Sequence, residues 1–134
     1  MIVIDAKNLI LGRFATHVAK QALLGEEVRV INCEHAVVSG KKASTLRETK
    51  ETALRGTPAK GPFIPKMADR YVRRVIRGML PYKVHKGDVA YKRVLCYIGE
   101  PEEFKDQAVT LESASFTKLP NLRFITIGEM IKNI

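Results

Sequence analysis

The sequence has few of the residues that metal sites, disulfide frameworks or membrane spans require. Its two cysteines, Cys33 and Cys96, lie far apart and belong to no CxxC motif, and its three histidines share no metal-binding spacing. No apolar run approaches the length of about 18 residues that a membrane-spanning helix needs. These absences predict no metal site, no disulfide and no membrane span, and they favour a reducing, cytoplasmic environment.

The usual catalytic motifs are also missing. The chain contains no GxGxxG, no GxxxxGK[ST] and no GxSxG, and neither cysteine has a histidine placed to form a nucleophile pair. The sequence therefore predicts no catalytic residues, no cofactor and no small-molecule substrate. A small nucleotide-using enzyme stays as a less favoured alternative.

Acidic residues are scarce in one long stretch, residues 55–93, which we call the basic segment. It contains eleven lysines and arginines but only two acids, Asp69 and Asp88, so its charge equals the net charge of +9 of the whole 134-residue chain. A solvated helix surface normally mixes both signs. Charge of one sign in one place predicts a polyanionic partner, and nucleic acid is favoured over an anionic membrane surface.

The centre of the basic segment predicts an amphipathic helix that is stopped by Pro81. Four apolar residues follow the i, i+3, i+4, i+7 spacing, and four arginines follow it two residues earlier. They are Val72, Val75, Ile76 and Met79 on one side, and Arg70, Arg73, Arg74 and Arg77 on the other. The two sets occupy opposite sides of a helix, so one side is expected to pack on a core while the other presents four guanidiniums.

The first third of the chain predicts a βαβ unit. Residues 2–5 and 28–32 have strand character, and residues 11–24 form an apolar helical stripe that Gly25 is suited to end. The two strands are therefore expected to be parallel. The following further elements are predicted: a short extended piece at 37–38, an outlying helix over 40–54 with Ser39 as N-cap, a loop over 55–65, a second basic loop over 82–92, a strand over 94–98, a strand or extended arm over 122–126, and a C-terminal helix over 127–134.

Cations at two predicted helix starts suggest an anion site. Arg13 falls in the first turn of the first helix, and Lys41 and Lys42 fall in the first turn of the second. Both helices follow strands, so in a parallel sheet their N-termini would lie at one edge, where backbone N–H groups favour phosphate. Solvated lysines are the alternative for Lys41 and Lys42.

Two residues of the basic segment leave alternatives open. Phe63 lies in a loop punctuated by glycine and proline, and it either packs on the core, which is favoured, or stacks on an unpaired base. Gly78 costs roughly 1 kcal/mol inside a helix, so it either lets a phosphate approach the backbone or lets another element pack there.

The predicted RNA-binding residues are the cations of the basic segment together with those of the two helix starts. They are Arg13, Lys41, Lys42, Arg55, Lys60, Lys66, Arg70, Arg73, Arg74, Arg77, Lys83, Lys86, Lys92 and Arg93.

Several stretches together resemble the large-subunit ribosomal protein family L-thirteen, in its shorter archaeal form. The resemblance covers nearly the whole chain. It is carried by IDAKNLILGRFA at residues 4–15, VIN at 30–32, VSGK at 38–41, GPF at 61–63 and, most specifically, VIRGMLPYK at 75–83.

The resemblance implies a single domain over residues 1–134 with a three-layer α/β/α fold. Its central, mainly parallel sheet would have about four strands and carry basic loop extensions. A strand is also implied after the second helix, although residues 40–60 read as helix followed by loop.

The resemblance further implies a structural constituent of the large ribosomal subunit that binds 23S-type ribosomal RNA, contacts neighbouring ribosomal proteins and supports subunit assembly in the cytoplasm, without catalysis of its own. A free regulatory RNA-binding module is the alternative function.

Overall fold

The computed structural model describes residues 1–121 and 123–134. Within them, the strands are β1 (Ile2–Asp5), β2 (Val28–Ile31), β3 (Val37–Ser39), β4 (Val94–Cys96), β5 (Ala108–Val109) and β6 (Phe124–Thr126). The helices are α1 (Leu11–Leu23), α2 (Lys42–Leu54), α3 (Ala68–Gly78), α4 (His85–Lys92) and α5 (Ile127–Lys132).

Four strands form a parallel sheet in the order β4-β2-β1-β5. β1 pairs with β2 along its whole length, with Ile4 opposite Val30, and Val30 in turn lies opposite Cys96 of β4. The mainly parallel four-strand sheet and the βαβ unit are therefore confirmed. The predicted strand over residues 94–98 is present but ends at Cys96.

α1 forms as its apolar stripe predicts. Leu11, Phe14 and Val18 are buried on one side of the helix against the sheet and α3. Gly25 ends it with a φ of 100°, and the N–H of Glu26 donates to the carbonyl of Gln21 at 3.1 Å. This left-handed ending satisfies carbonyls in the last turn and suits glycine, as predicted.

β3 does not belong to the parallel sheet. It pairs antiparallel with β6 in a separate two-stranded sheet, with Val38 opposite Ile125. The strand predicted over residues 122–126 begins at Phe124, and Leu122 lies outside the described residues. α5 follows β6 directly and buries Ile127 and Met130.

α2 lies on the outside and buries no residue, as its thin apolar side predicts. Its predicted start is wrong. Ser39 is the last residue of β3, Gly40 turns the chain with a φ of 122°, and Lys41 precedes the helix without a side-chain cap. Strand pairing of Ser39 with Phe124 therefore prevails over its capping preference.

α3 has the predicted two sides. Val72 and Ile76 are fully buried against α1 and β4, whereas Arg70 and Arg74 are exposed. The helix ends at Gly78, so Met79 lies beyond it and is exposed. Pro81 then prevents the chain from continuing as a helix.

The basic loop predicted over residues 82–92 is largely wrong, because α4 occupies most of it. The Val84 carbonyl accepts from the N–H groups of Gly87 and Asp88 at 3.1 and 3.0 Å. Ala90 is buried where α4 packs on α1. Gly87 is buried against the Pro81 carbonyl, with which a Cβ would collide, so a residue that normally weakens helices makes this close approach possible.

Candidate nucleic-acid interface

The basic segment becomes a cationic surface built from α3, α4 and the loops before each of them. Among the described residues, only Lys92 of its eleven cations has a carboxylate within 4.0 Å, that of Asp88 at 3.3 Å. Eight of the cations are exposed: Arg55, Lys60, Lys66, Arg70, Arg74, Lys83, Lys86 and Lys92. The charge predicted from the sequence is thus available to a partner.

The Arg73 side chain, in contrast, is engaged in contacts within the protein. Its Nε donates to the carbonyl of Val94 at 2.9 Å, its Nη2 donates to the carbonyl of Tyr91 at 3.3 Å, and its guanidinium lies 4.0 Å from the centre of the Tyr91 ring. The expectation that all four arginines face away from the core is therefore wrong for Arg73. It lies only about 60° around the helix from the buried Ile76, so it reaches the end of α4.

Two further arginines of α3, Arg74 and Arg77, also contact neighbouring residues. Arg74 is exposed but donates from Nη1 to the Phe63 carbonyl at 2.7 Å, which ties the preceding loop to α3. Arg77 is half-buried, with its guanidinium 4.7 Å from the centre of the Tyr82 ring. Both retain unused N–H donors in these contacts, because a guanidinium carries five.

Arg93 also serves the fold. Its Nη1 donates to the Ala22 carbonyl in the last turn of α1 at 3.0 Å, and its own carbonyl accepts from the N–H of Val28. A cation there satisfies an end carbonyl and interacts favourably with the helix dipole. RNA contact by Arg73 and Arg93 stays a prediction.

Arg13, Lys41 and Lys42 are exposed at the helix starts where the sequence predicts them. The Lys42 ammonium lies 3.5 Å from a carboxylate oxygen of Glu129. The argument from one shared sheet edge is wrong for α2, because β3 lies outside the parallel sheet. Phosphate contact by the three residues stays a prediction.

Arg123 is a cation that the sequence pattern does not single out. Its carbonyl accepts from the N–H of Gly40 at 2.9 Å, and it lines one surface hollow with Lys41 and Lys42. The pairing of β3 with β6 brings these residues together. No local spacing signals this proximity, since the two strands are far apart in the chain.

The surroundings of the two open positions argue against packing within the described protein. Phe63 is 68% exposed, so the favoured expectation that it packs on the core is wrong. Apart from its chain neighbours and the backbone of α3 itself, a Cβ at Gly78 would meet no described atom within 4 Å, so no other described element packs against it.

Cys33 is not a reactive thiol. Cys33 is buried, with its Sγ 3.7 Å from the Val30 carbonyl, and Cys96 is half-buried on the neighbouring strand. A hydrogen bond with Cys96 and, as the second cause, burial raise the pKa of the Cys33 thiol. The thiol therefore stays protonated, and the thiolate is the form required for nucleophilic attack and metal binding. Among the described residues, no group of three or more His, Cys, Asp and Glu side chains could hold a metal, and no helix is long and apolar enough to cross a membrane.

Comparison with known proteins gives a consistent result. Residues 1–103 match the family model described as ribosomal protein L13. The large ribosomal subunit protein uL13 of Methanosarcina barkeri is 48% identical over 132 residues, which cover 97% of this chain and 94% of that protein. The uL13 proteins of Methanococcoides burtonii and Haloarcula marismortui are 43% and 36% identical, over 100% and 99% of this chain and 97% and 90% of their own lengths.

Proposed function

Because this chain belongs to the ribosomal protein L13 family, we propose that it binds large-subunit ribosomal RNA through its basic segment and supports assembly of that subunit. Family membership makes it a structural ribosomal protein of the large subunit and not an enzyme, and ribosomal proteins act in the cytoplasm. Neighbouring proteins of the subunit are its further proposed partners.

The observation that supports RNA binding is the near absence of carboxylate partners around the cations of the basic segment. Cations that lack internal partners repel one another, and a polyanion relieves this repulsion. Each phosphate that they neutralise also releases condensed counterions, which drives binding. An ordinary solvated surface would not need this imbalance of charge.

We propose two different roles for the predicted RNA-binding residues. The exposed cations of the basic segment are proposed to contact phosphates, as are Arg13, Lys41, Lys42 and the half-buried Arg77. Arg73 and Arg93 donate to backbone carbonyls, so they are proposed to act mainly by holding α3, α4 and the end of α1 in place. We add Arg123 to the phosphate-contacting group, because it lies beside the two lysines.

Support of assembly is proposed to follow from the position of these cations on a folded surface. α3 and α4 are held by buried residues and by the bonds of Arg73, so the backbone that carries their charges is in place before RNA arrives. Cations held on one surface lower the repulsion between RNA segments that approach one another there. On binding, only the exposed side chains and not the helices themselves then lose conformational entropy.

We also infer that residues 1–134 form one domain. One continuous core cluster includes Ile4 and Val30 of the parallel sheet together with Ala36 beside β3 and Ile127 of α5. Both sheets share this main core, and a smaller cluster of Val3, Ile31 and Phe104 also packs on the parallel sheet. A domain is defined by its own core, and one main core here unites the elements.

A ribosome gradient tests the proposed function. The parent chain is expected to travel with large subunits and to remain with them after a double substitution outside the basic segment, Lys105→Glu with Lys118→Glu. Lys66→Glu with Arg70→Glu makes the same change of charge on exposed residues within the basic segment and is expected to shift the chain to the top of the gradient. A parent chain that sediments on its own, or on small RNAs, would instead identify a free regulatory RNA-binding module.

A further inference from the structure

An aromatic side chain stands out of the cationic surface without packing on the core. Phe63 is 68% exposed, although the next residues, Ile64 and Pro65, turn inward and line a cleft between α2 and α3. An exposed phenylalanine gains nothing for the stability of the free protein. Aromatic residues that stay exposed beside cations are typical of surfaces that bind single-stranded nucleic acid.

The loop that carries Phe63 is ordered by its own backbone. The Thr57 carbonyl accepts from the N–H groups of Lys60 and Gly61 at 3.2 and 2.9 Å, which closes a tight turn. Gly61 has a φ of 90°, and a Cβ there would lie 3.1 Å from the Phe63 ring, so the ring rests against a position where only glycine leaves room. On the other side, the Phe63 carbonyl is bonded to Arg74 of α3. The backbone that carries the ring is therefore held in place before any partner binds.

Beside the ring lies a hollow of about 350 Å³. Leu54 and Phe63 provide apolar walls, and Arg55 and Lys66 are the charged residues that line it. Its volume falls within the range of roughly 300–1,000 Å³ found for small-ligand sites. Among the described residues, no carboxylate lines the hollow, so its two cations have no anionic partner within it.

We propose that this hollow binds an unpaired nucleotide, with its base stacked on Phe63 and its phosphate between Arg55 and Lys66. The inference rests on the proposed binding of ribosomal RNA and adds the class of nucleotide that this part of the surface takes. RNA is favoured over a protein partner because two cations line the hollow beside an exposed ring, which suits a phosphate and a base that stacks. A paired base is excluded, because both of its faces are already stacked within its helix.

Fluorescence provides a direct test, because the chain contains no tryptophan. Phe63→Trp places a single indole in the hollow. Val109→Trp is the control, since Val109 is 55% exposed on β5, at the opposite edge of the parallel sheet from β4. Each variant is titrated with deproteinised archaeal large-subunit ribosomal RNA and with a blunt RNA duplex at equal phosphate concentration. We expect ribosomal RNA to quench the indole at residue 63, the duplex to leave it unchanged, and the control to respond to neither.

Affinity measurements separate stacking from apolar contact. Phe63→Ala and Phe63→Leu are both expected to weaken binding of the ribosomal RNA by about 5- to 150-fold, the value of one stacked base, whereas Phe63→Tyr keeps the ring and the affinity. Unfolding curves of all three variants should match that of the parent, since the side chain is exposed. Parent-like affinity of Phe63→Leu would overturn the stacking proposal.

The remaining outcomes distinguish this inference from the proposed function. If the parent does not bind ribosomal RNA, both are wrong. If the parent binds but the indole at residue 63 is not quenched, only the nucleotide site is wrong. A Phe63→Ala variant that binds RNA like the parent but fails to enter large subunits would mean that a protein occupies the hollow, which also overturns the proposal.

Discussion

Individual arginines on one helix have different roles, although they look equivalent in the sequence. Arg70 and Arg73 both belong to the spacing that predicts a cationic side of α3. The Arg70 side chain is exposed, whereas Arg73 donates to two backbone carbonyls and lies over Tyr91. Hydrogen bonds from a charged donor and a cation–π contact each contribute measurably to stability. Arg73 therefore stabilises the fold, and Arg70 is free to contact a ligand.

This difference predicts opposite effects of the same substitution. Arg73→Ala should lower the free energy of unfolding by about 1–3 kcal/mol, because the Val94 and Tyr91 carbonyls lose their donor. Arg70→Ala should change it by no more than about 0.5 kcal/mol but should weaken RNA binding. Urea unfolding and a binding isotherm for each variant provide the measurement. Equal stability of the two variants would show that the contacts of Arg73 contribute nothing.

At the scale of elements, two glycines near the ends of α3 and α4 have contrasting surroundings. Gly87 in α4 is pressed against the Pro81 carbonyl, whereas a Cβ at Gly78, the last residue of α3, would enter open space. Glycine weakens both helices through its conformational freedom. Only at Gly87 does a close approach within the protein require it.

Replacement of each glycine by alanine should therefore have effects of opposite sign. Gly87→Ala should destabilise the protein by about 1–3 kcal/mol, because the added methyl group displaces α4 from Pro81. Gly78→Ala should stabilise it by about 0.4–1 kcal/mol through the better helix propensity of alanine. The free energy of unfolding of both variants tests this.

The RNA affinity of Gly78→Ala tests whether the backbone at Gly78 contacts a phosphate. If a phosphate approaches the backbone there, Gly78→Ala should bind RNA more weakly than the parent despite its higher stability. Unchanged affinity would mean that the backbone at Gly78 is not part of the interface.

For the whole molecule, the distribution of charge matters more than its amount. The net charge of +9 resides in the basic segment, while the rest of the chain is balanced. In the fold, this charge lies on α3, α4 and the adjoining loops and is not spread over the sheet. One part of the surface can therefore bind a polyanion while the remainder stays neutral overall.

RNA binding should accordingly depend steeply on salt. Six to ten phosphate contacts would reduce the affinity by roughly 10³–10⁵ between 50 and 200 mM salt, with duplex DNA as the reference. Arg70→Ala should lower the slope of log affinity against log salt by about 1, because one phosphate contact is lost. A flat salt response of the parent would mean that base-specific or apolar contacts dominate.

The sequence by itself determined the features that depend on neighbours along the chain. The parallel pairing of β1 with β2, the ends of α1 and the two sides of α3 all follow from periodicity and from glycine and proline positions. The location of the charge also follows directly, because charges add along a chain whatever its fold. The family resemblance further predicted a mainly parallel sheet of about four strands.

Only the tertiary structure decided the features that join distant parts of the chain. The pairing of β3 with β6, the capture of Arg73 by Val94 and the position of Arg123 beside Lys41 all depend on segments that meet only in the folded state. α4 was not predicted, for the same reason. Glycine is favourable at position 87 of this helix only because Pro81 lies against it. Local propensities differ by about 1 kcal/mol or less per residue, so a single tertiary contact of that size is enough to override them.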